Sequence, residues 1–319
     1  MSYMKYLDTH DFDYEEIEHL FEKENIDDLN YTCTIITVPE FKMFINRYGN
    51  AMFDDSTFQY LKDVEASIYG IKLSNRILIG TFTCESIHIS VKDNSLIQAT
   101  YCDFLCIHPN YRKKGLMKII QREVSRHTHK MHEEKAIFQT SEKVKISHST
   151  AFKKQVYNIH LKHSTFMNLG ATLLPRYREH VELRTPTVDE LRILNEKRYD
   201  FQLIYTMEQL EAIRKNYITK IDNDGNIFVF SRFLTKGDMA DVYAAVLVNY
   251  YVANEESFRN SIRAIGNELK QKTHMISILN KDIKDILTTL CPDKNNELNV
   301  YTCNYHKSIR ANNVLLNIR

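Results

Sequence analysis

The residues best placed to do chemistry lie in one run, Asp103-Phe-Leu-Cys-Ile-His-Pro-Asn-Tyr-Arg-Lys-Lys-Gly-Leu-Met-Lys118. Its second half gathers Arg112, Lys113, Lys114 and Lys118 around Gly115. An amphipathic helix is predicted from Gly115 to His129, with Leu116, Ile119, Ile120 and Val124 setting its period. A helix N-terminus presents unpaired N–H groups and a partial positive charge, so it binds phosphate. Gly115 permits close backbone approach, and the basic side chains add charge. The same residues also fit a solvated basic turn that merely caps a helix, and a short motif alone does not separate the two.

The surrounding elements must position that run. Helices are expected over Asp11–Lys23 and Pro39–Tyr48, followed by a polar stretch from Gly49 to Asp55. A β meander follows: Ala66–Leu73 and Ile77–Glu85 around a Ser74-Asn75-Arg76 turn, then Ser86–Val91 and Leu96–His108 around Lys92–Ser95. Ala136–Thr140 is a further strand, so the local order is strand, loop, helix, strand. A second α/β half begins near Pro175. Its helices are expected at Asp189–Arg198, at Met207–Lys215 behind an N-cap at Thr206, and at Glu255–Lys272. Its strands are Asn226–Phe233, Ala240–Val252, Met275–Leu279 and Leu298–Tyr305.

Composition sets outer bounds. The 319 residues suffice for one large or two ordinary domains, and 42 basic against 41 acidic residues leave a net charge of +1. That balance argues against bulk-charge binding of nucleic acid. Cys102 and Cys106 lie in an apolar run with no zinc-type partner set, so the six cysteines read as free thiols of a reducing compartment. His127, His129 and His132 suit a helix C-terminus rather than a metal. No apolar run is long enough to span a bilayer, and the acidic N-terminal segment from Asp8 to Glu24 is unlike a signal or transit peptide. A cytoplasmic monomer is expected.

Strand, Arg-x-x-Gly loop and helix after an antiparallel meander resemble the GNAT superfamily, in which this loop cradles the pyrophosphate of acyl-CoA. Phe104-Leu-Cys-Ile-His108, Arg112, Leu116 and Arg122-Glu-Val-Ser-Arg126 resemble more closely a segment of glycylpeptide N-myristoyltransferases. There the family reads Asn-Phe-Leu-Cys-Val-His, Arg-Ser-Lys-Arg-Leu-Ala-Pro and Arg-Glu-Ile-Thr-Arg. Arg76-Ile-Leu-Ile-Gly80, Ser86-Ile-His-Ile89, Asn299-Val-Tyr-Thr-Cys-Asn-Tyr305 and Val314-Leu-Leu-Asn-Ile-Arg319 resemble further strands of that family. The likeness runs over about residues 40 to 319 and is strongest over 76–126.

The resemblance implies an α/β (α+β) fold of two tandem GNAT-like lobes, each a mostly antiparallel mixed sheet flanked by helices. Residues 1–174 would bind acyl-CoA, and residues 175–319 would bind peptide and carry the C-terminal carboxylate. It implies an acyltransferase that moves a myristoyl group from myristoyl-CoA, a co-substrate rather than a resident cofactor, to N-terminal glycines, a lipoprotein modification. The backbone N–H groups of Phe104 and Leu105 would hold the thioester oxyanion, and the carboxylate of Arg319 would take the amine proton. Cys106, Arg112, Lys113, Lys114, Gly115, Leu116, Met117 and Lys118 would contact CoA, and Tyr48, Tyr157 and Tyr250 the peptide.

The chain departs from that pattern in places. Asp103 replaces the family's Asn and adds a carboxylate near the amine path, to assist deprotonation or to accept the ammonium. Gln139-Thr140-Ser141-Glu142 stands for Tyr-Thr-Ala-Gly, and Thr140 keeps the hydroxyl expected at the glycine amine. The family's Phe-Trp-x-x-Gln-Pro-Val segment has no counterpart in residues 1–38, and Asp54, Asp55 and Phe58 stand where an acidic loop would line the peptide channel or simply face solvent. Two other readings stay open: a GNAT N-acetyltransferase, and a relative that binds acyl-CoA or peptide without turnover.

Overall fold

The computed structural model describes residues 31–49, 51–74, 76–91, 95–112, 114–133, 135–140, 149–164, 167–168, 170–235, 241–279, 281–290, 292–303 and 314–315. The helix expected at Asp11–Lys23 and the residues Lys113 and Arg319 lie outside them. In chain order the first half holds β1 (Tyr31–Ile35), α1 (Val38–Tyr48), β2 (Ala51–Phe53), α2 (Asp55–Asp63), β3 (Ser67–Leu73) and β4 (Leu78–Val91). It continues with β5 (Leu96–Ile107), α3 (Leu116–Lys130), β6 (Ala136–Thr140) and β7 (Ser149–His160). The second half holds β8 (Leu183–Arg184), α4 (Val188–Leu191), β9 (Phe201–Ile204), α5 (Met207–Asn216), β10 (Ile218–Asp222), β11 (Ile227–Thr235) and β12 (Val242–Tyr251). It ends with α6 (Glu255–Leu269), β13 (Met275–Ile278), α7 (Lys281–Ile286), β14 (Asp293–Cys303) and β15 (Val314–Leu315).

The two halves repeat one plan. In the first, β4 pairs antiparallel with β5, α3 crosses over, and β6 returns parallel to β5. In the second, β11 pairs antiparallel with β12, α6 crosses over, and β13 returns parallel to β12. Each half then lends its next strand to the other: β7 pairs with β13, β14 pairs with β6, and β7 and β14 pair with each other. The result is one continuous sheet in the order β1-β3-β4-β5-β6-β14-β7-β13-β12-β11-β10-β8. The architecture is therefore the expected mixed α/β pair of lobes, with the lobes stitched by exchanged strands.

Helix ends follow local chemistry. Thr37 caps α1 and Asp54 caps α2, each accepting an N–H at 3.4 Å. Thr206 and Gln209 form a reciprocal capping box at the start of α5. The helix expected at Asp189–Arg198 is cut short, one α turn followed by a 3-10 turn to Asn195. There the Asn195 amide bonds the N–H and C=O of Tyr205, each at 2.8 Å, which competes with helical pairing. The stretch expected to be merely polar after Gly49 contains β2, which pairs with β11 of the other half.

One core packs α3 against the outer sheet face, through Ile71, Ile79, Phe82, Leu116 and Ile119. A larger one joins α1 and α2 to the strands of both halves, through Phe41, Phe44, Phe58, Phe104, Val229 and Phe233. A third seats α6 on the second half, where Phe258, Ile262 and Ile265 are fully buried. The joint also carries buried polar bonds: Glu85 of β4 accepts from Tyr60 (2.9 Å) and from Gln209 of α5 (3.2 Å). Gly70 marks a tight approach in β3, where a Cβ would stand 2.5 Å from Ile36 Cγ2 and 2.8 Å from Leu78 Cδ1. Gly70→Ala is expected to cost about 1–3 kcal/mol through overpacking, read as a lowered urea midpoint. An unchanged midpoint would mean that Ile36 and Leu78 move aside freely.

Candidate active site

The register of β5 changes where the chemistry was expected. Thr83 faces Asp103 and Thr81 faces Cys106, so the single residue Phe82 opposes the pair Phe104-Leu105. This is a β-bulge, which takes that pair out of the regular ladder. Phe104 adopts φ +53°, a left-handed conformation that costs a bulky L-residue roughly 1–2 kcal/mol. Its buried ring holds it there, edge-on to Phe41 (5.9 Å) and Phe53 (5.0 Å). Neither aromatic partner was singled out from sequence, since both reach Phe104 from distant segments.

The bulge also sits where the sheet opens. β5 and β6 are paired only at Thr100–Ala136 and Tyr101–Ile137. β6 pairs with β14 along its whole length, from Ala136 opposite Cys303 to Thr140 opposite Asn299, while β5 beyond Tyr101 stays with β4. Asp103 to Ile107 therefore lie past the end of the β5–β6 ladder. There the Asp103 carboxylate accepts the Phe104 N–H at 2.7 Å, and the Thr83 hydroxyl donates to the Asp103 carbonyl at 3.2 Å.

Past the bulge the chain makes the basic loop. His108 accepts the Asn110 N–H (3.2 Å) and starts a 3-10 turn over Pro109–Tyr111. Burial, and the nearby Arg112 and Arg47, hold the His108 imidazole below its usual pKa, so it adds no charge here at neutral pH. Arg112 Nε donates to the Ile107 carbonyl (3.3 Å), which ties the loop back to the strand. The Lys114 ammonium lies 5.4 Å from the Tyr111 ring centroid.

Gly115 is the N-cap of α3 at φ +76°; it has no side chain to bond the first-turn N–H groups, and that turn holds no acidic residue. Arg112, Lys114 and Lys118 stand around this cap, where the helix dipole and the side chains both favour an anion. Leu116 and Cys106 are buried, and Met117 packs on the α3 core.

Other expected residues fall in different places. The Tyr48 ring packs against His108 (4.4 Å between centroids), beside the loop. Tyr157 packs on the second-half core with the Lys284 ammonium 6.0 Å from its ring. Tyr250 is buried there too, with its hydroxyl on Tyr199 (2.8 Å) and its ring against Phe258. It lies six residues along β12 from Ala244, the partner of Phe233, or roughly 20 Å at strand spacing. Tyr250 is thus part of that core. Asp54 caps α2 and reaches Arg232 at 3.3 Å, Asp55 pairs with Lys42, and Phe58 is buried. These three therefore organise α2.

A split parallel pair, a bulge at the split and a basic, glycine-capped helix N-terminus make a GNAT-like fold, here in two lobes. Residues 39–151, which carry all three, match the family model for the N-terminal domain of myristoyl-CoA:protein N-myristoyltransferase. Over nine-tenths of its length the chain has the fold of N-myristoyltransferases. It matches a Saccharomyces cerevisiae N-myristoyltransferase with bound myristoyl-CoA at a TM-score of 0.72 and 14% identity, covering 90% of this chain and 89% of that one. A second structure of the Saccharomyces cerevisiae enzyme with bound myristoyl-CoA gives a TM-score of 0.71 at 16% identity, over 90% and 82% of the two chains. No curated protein sequence matches the chain.

Proposed function

We propose that this chain transfers a myristoyl group from myristoyl-CoA to the N-terminal glycine amine of proteins. One observation carries the proposal: the bulge at Phe104-Leu105 precedes the basic, glycine-capped N-terminus of α3, inside the matched segment. The loop and helix N-terminus take the CoA phosphates, and the bulge presents backbone N–H groups where a thioester oxygen gains charge. The glycine nitrogen attacks the thioester carbon and forms the C–N bond. The C–S bond then breaks, and CoA departs as its thiolate. The apolar acyl chain offers on the order of 10 kcal/mol of burial free energy for binding.

An amine of pKa near 8 must lose a proton to attack. The resemblance assigns that proton to the carboxylate of Arg319. In support, β15 runs parallel to β9, and β9 runs antiparallel to the outer half of β4. β15 therefore runs in the direction from the Val91 end of β4 toward its Thr83 end. Thr140 and Tyr48 border the path of the amine and of the peptide that follows it. The reading is tested with a peptide beginning Gly-x-x-x-Ser and the same peptide acetylated at its N-terminus. Acylation of the free amine alone is expected, and equal acylation of both would sink the assignment.

A further inference from the structure

The Phe104 N–H is the donor that the proposed reaction needs, and in the free protein the Asp103 carboxylate holds it at 2.7 Å. We infer that Asp103 is a specificity-determining brake, an internal anion that the thioester oxygen must displace from Phe104 before transfer. The inference rests on the acyl-transfer reading. It follows from how strongly each acceptor holds the donor. A hydrogen bond to an ionised carboxylate is stronger than one to a neutral carbonyl. The bound thioester therefore competes poorly in its ground state and well once its oxygen carries the charge of the tetrahedral state. The carboxylate thus weakens binding of the thioester and reduces the donor's net gain at the transition state, which is what makes it a brake.

The geometry of the bulge makes the contact. The left-handed Phe104 follows Asp103 directly, and the Thr83 hydroxyl fixes the Asp103 carbonyl at 3.2 Å. The second lobe shows a neutral counterpart, where the Asn249 amide oxygen of β12 accepts the Tyr250 N–H, also at 2.7 Å, beside the β11–β12 bulge. A carboxamide at this position thus still accepts the N–H while carrying no charge.

The test measures binding of myristoyl-CoA and of free CoA, without peptide, to wild type, Asp103→Asn and Asp103→Ala. Myristoyl-CoA is expected to bind Asp103→Ala about tenfold more tightly than wild type, with Asp103→Asn between them. Free CoA, which has no thioester oxygen, is expected to bind all three alike. In the ligand-free protein the Phe104 amide proton should move upfield in Asp103→Ala, reporting loss of the carboxylate. Should Asp103→Ala fold poorly, Asp103→Asn keeps the side-chain shape and still reports the intermediate affinity. Equal or weaker myristoyl-CoA binding by the variants, with free CoA bound normally, overturns the brake and leaves the acyl-transfer reading standing. A wild type that binds neither ligand overturns both.

Discussion

Removal of Asn317, Ile318 and Arg319 is expected to lower kcat by roughly 10²–10⁴-fold, the range of a lost general base, with little change in the KM for acyl-CoA. The truncated chain still ends in a carboxylate, but one withdrawn by up to about 10 Å of extended backbone. A proton acceptor acts only within hydrogen-bond reach, directly or through one water. The proposed CoA cradle is the loop before α3, so acyl-CoA binding should survive the truncation. Adding residues after Arg319 also moves the carboxylate and should produce a similar loss. Steady-state kinetics on folded truncated and extended proteins check this, and unchanged turnover in both would remove the base from the mechanism.

The second large effect concerns the basic cap. Lys114→Ala with Lys118→Ala is expected to raise the KM for acyl-CoA by about 10²-fold, with each lost charge-assisted contact to phosphate contributing about a factor of ten. The same change should stabilise the ligand-free protein, because it removes two cations from the positive end of α3. Function and stability would thus move in opposite directions, a signature that a plain surface turn does not give. Thermal unfolding of the free protein, and initial rates at low and moderate salt, read out both halves. A variant with unchanged KM would return the loop to the role of a helix cap.

The parts legible in the sequence are those whose cause is local. The period of Leu116, Ile119 and Ile120 marks α3, and Thr206 with Gln209 marks the start of α5. The Arg112–Lys118 loop is legible because a basic, glycine-bearing loop before a helix has a direct electrostatic meaning. What escapes depends on distant partners. β2 is three residues long and exists through its pairing with β11, and β7 forms its ladders with β13 and β14 of the second half.

The exchange of β7 and β14 leaves no local trace, and neither does the bulge at Phe104. That bulge is held by Phe41 and Phe53, some sixty and fifty positions earlier. Asp103 was legible as a carboxylate near the amine path. Its bond to the Phe104 N–H depends on a backbone conformation that residue type does not announce. Tyr157 and Tyr250 were assigned by resemblance, and the packing of α6 and α7 accounts for where their rings lie.

The central claim is transfer of a long acyl chain to an N-terminal glycine. Its most direct test offers the protein equal myristoyl-CoA and acetyl-CoA with one peptide beginning Gly-x-x-x-Ser, and weighs the products by mass spectrometry. The structure leads us to expect a single product, the peptide bearing one myristoyl group on its α-amine, with free CoA released in equal amount. An acetylated peptide alone, or bound acyl-CoA with no acylated peptide, would contradict it.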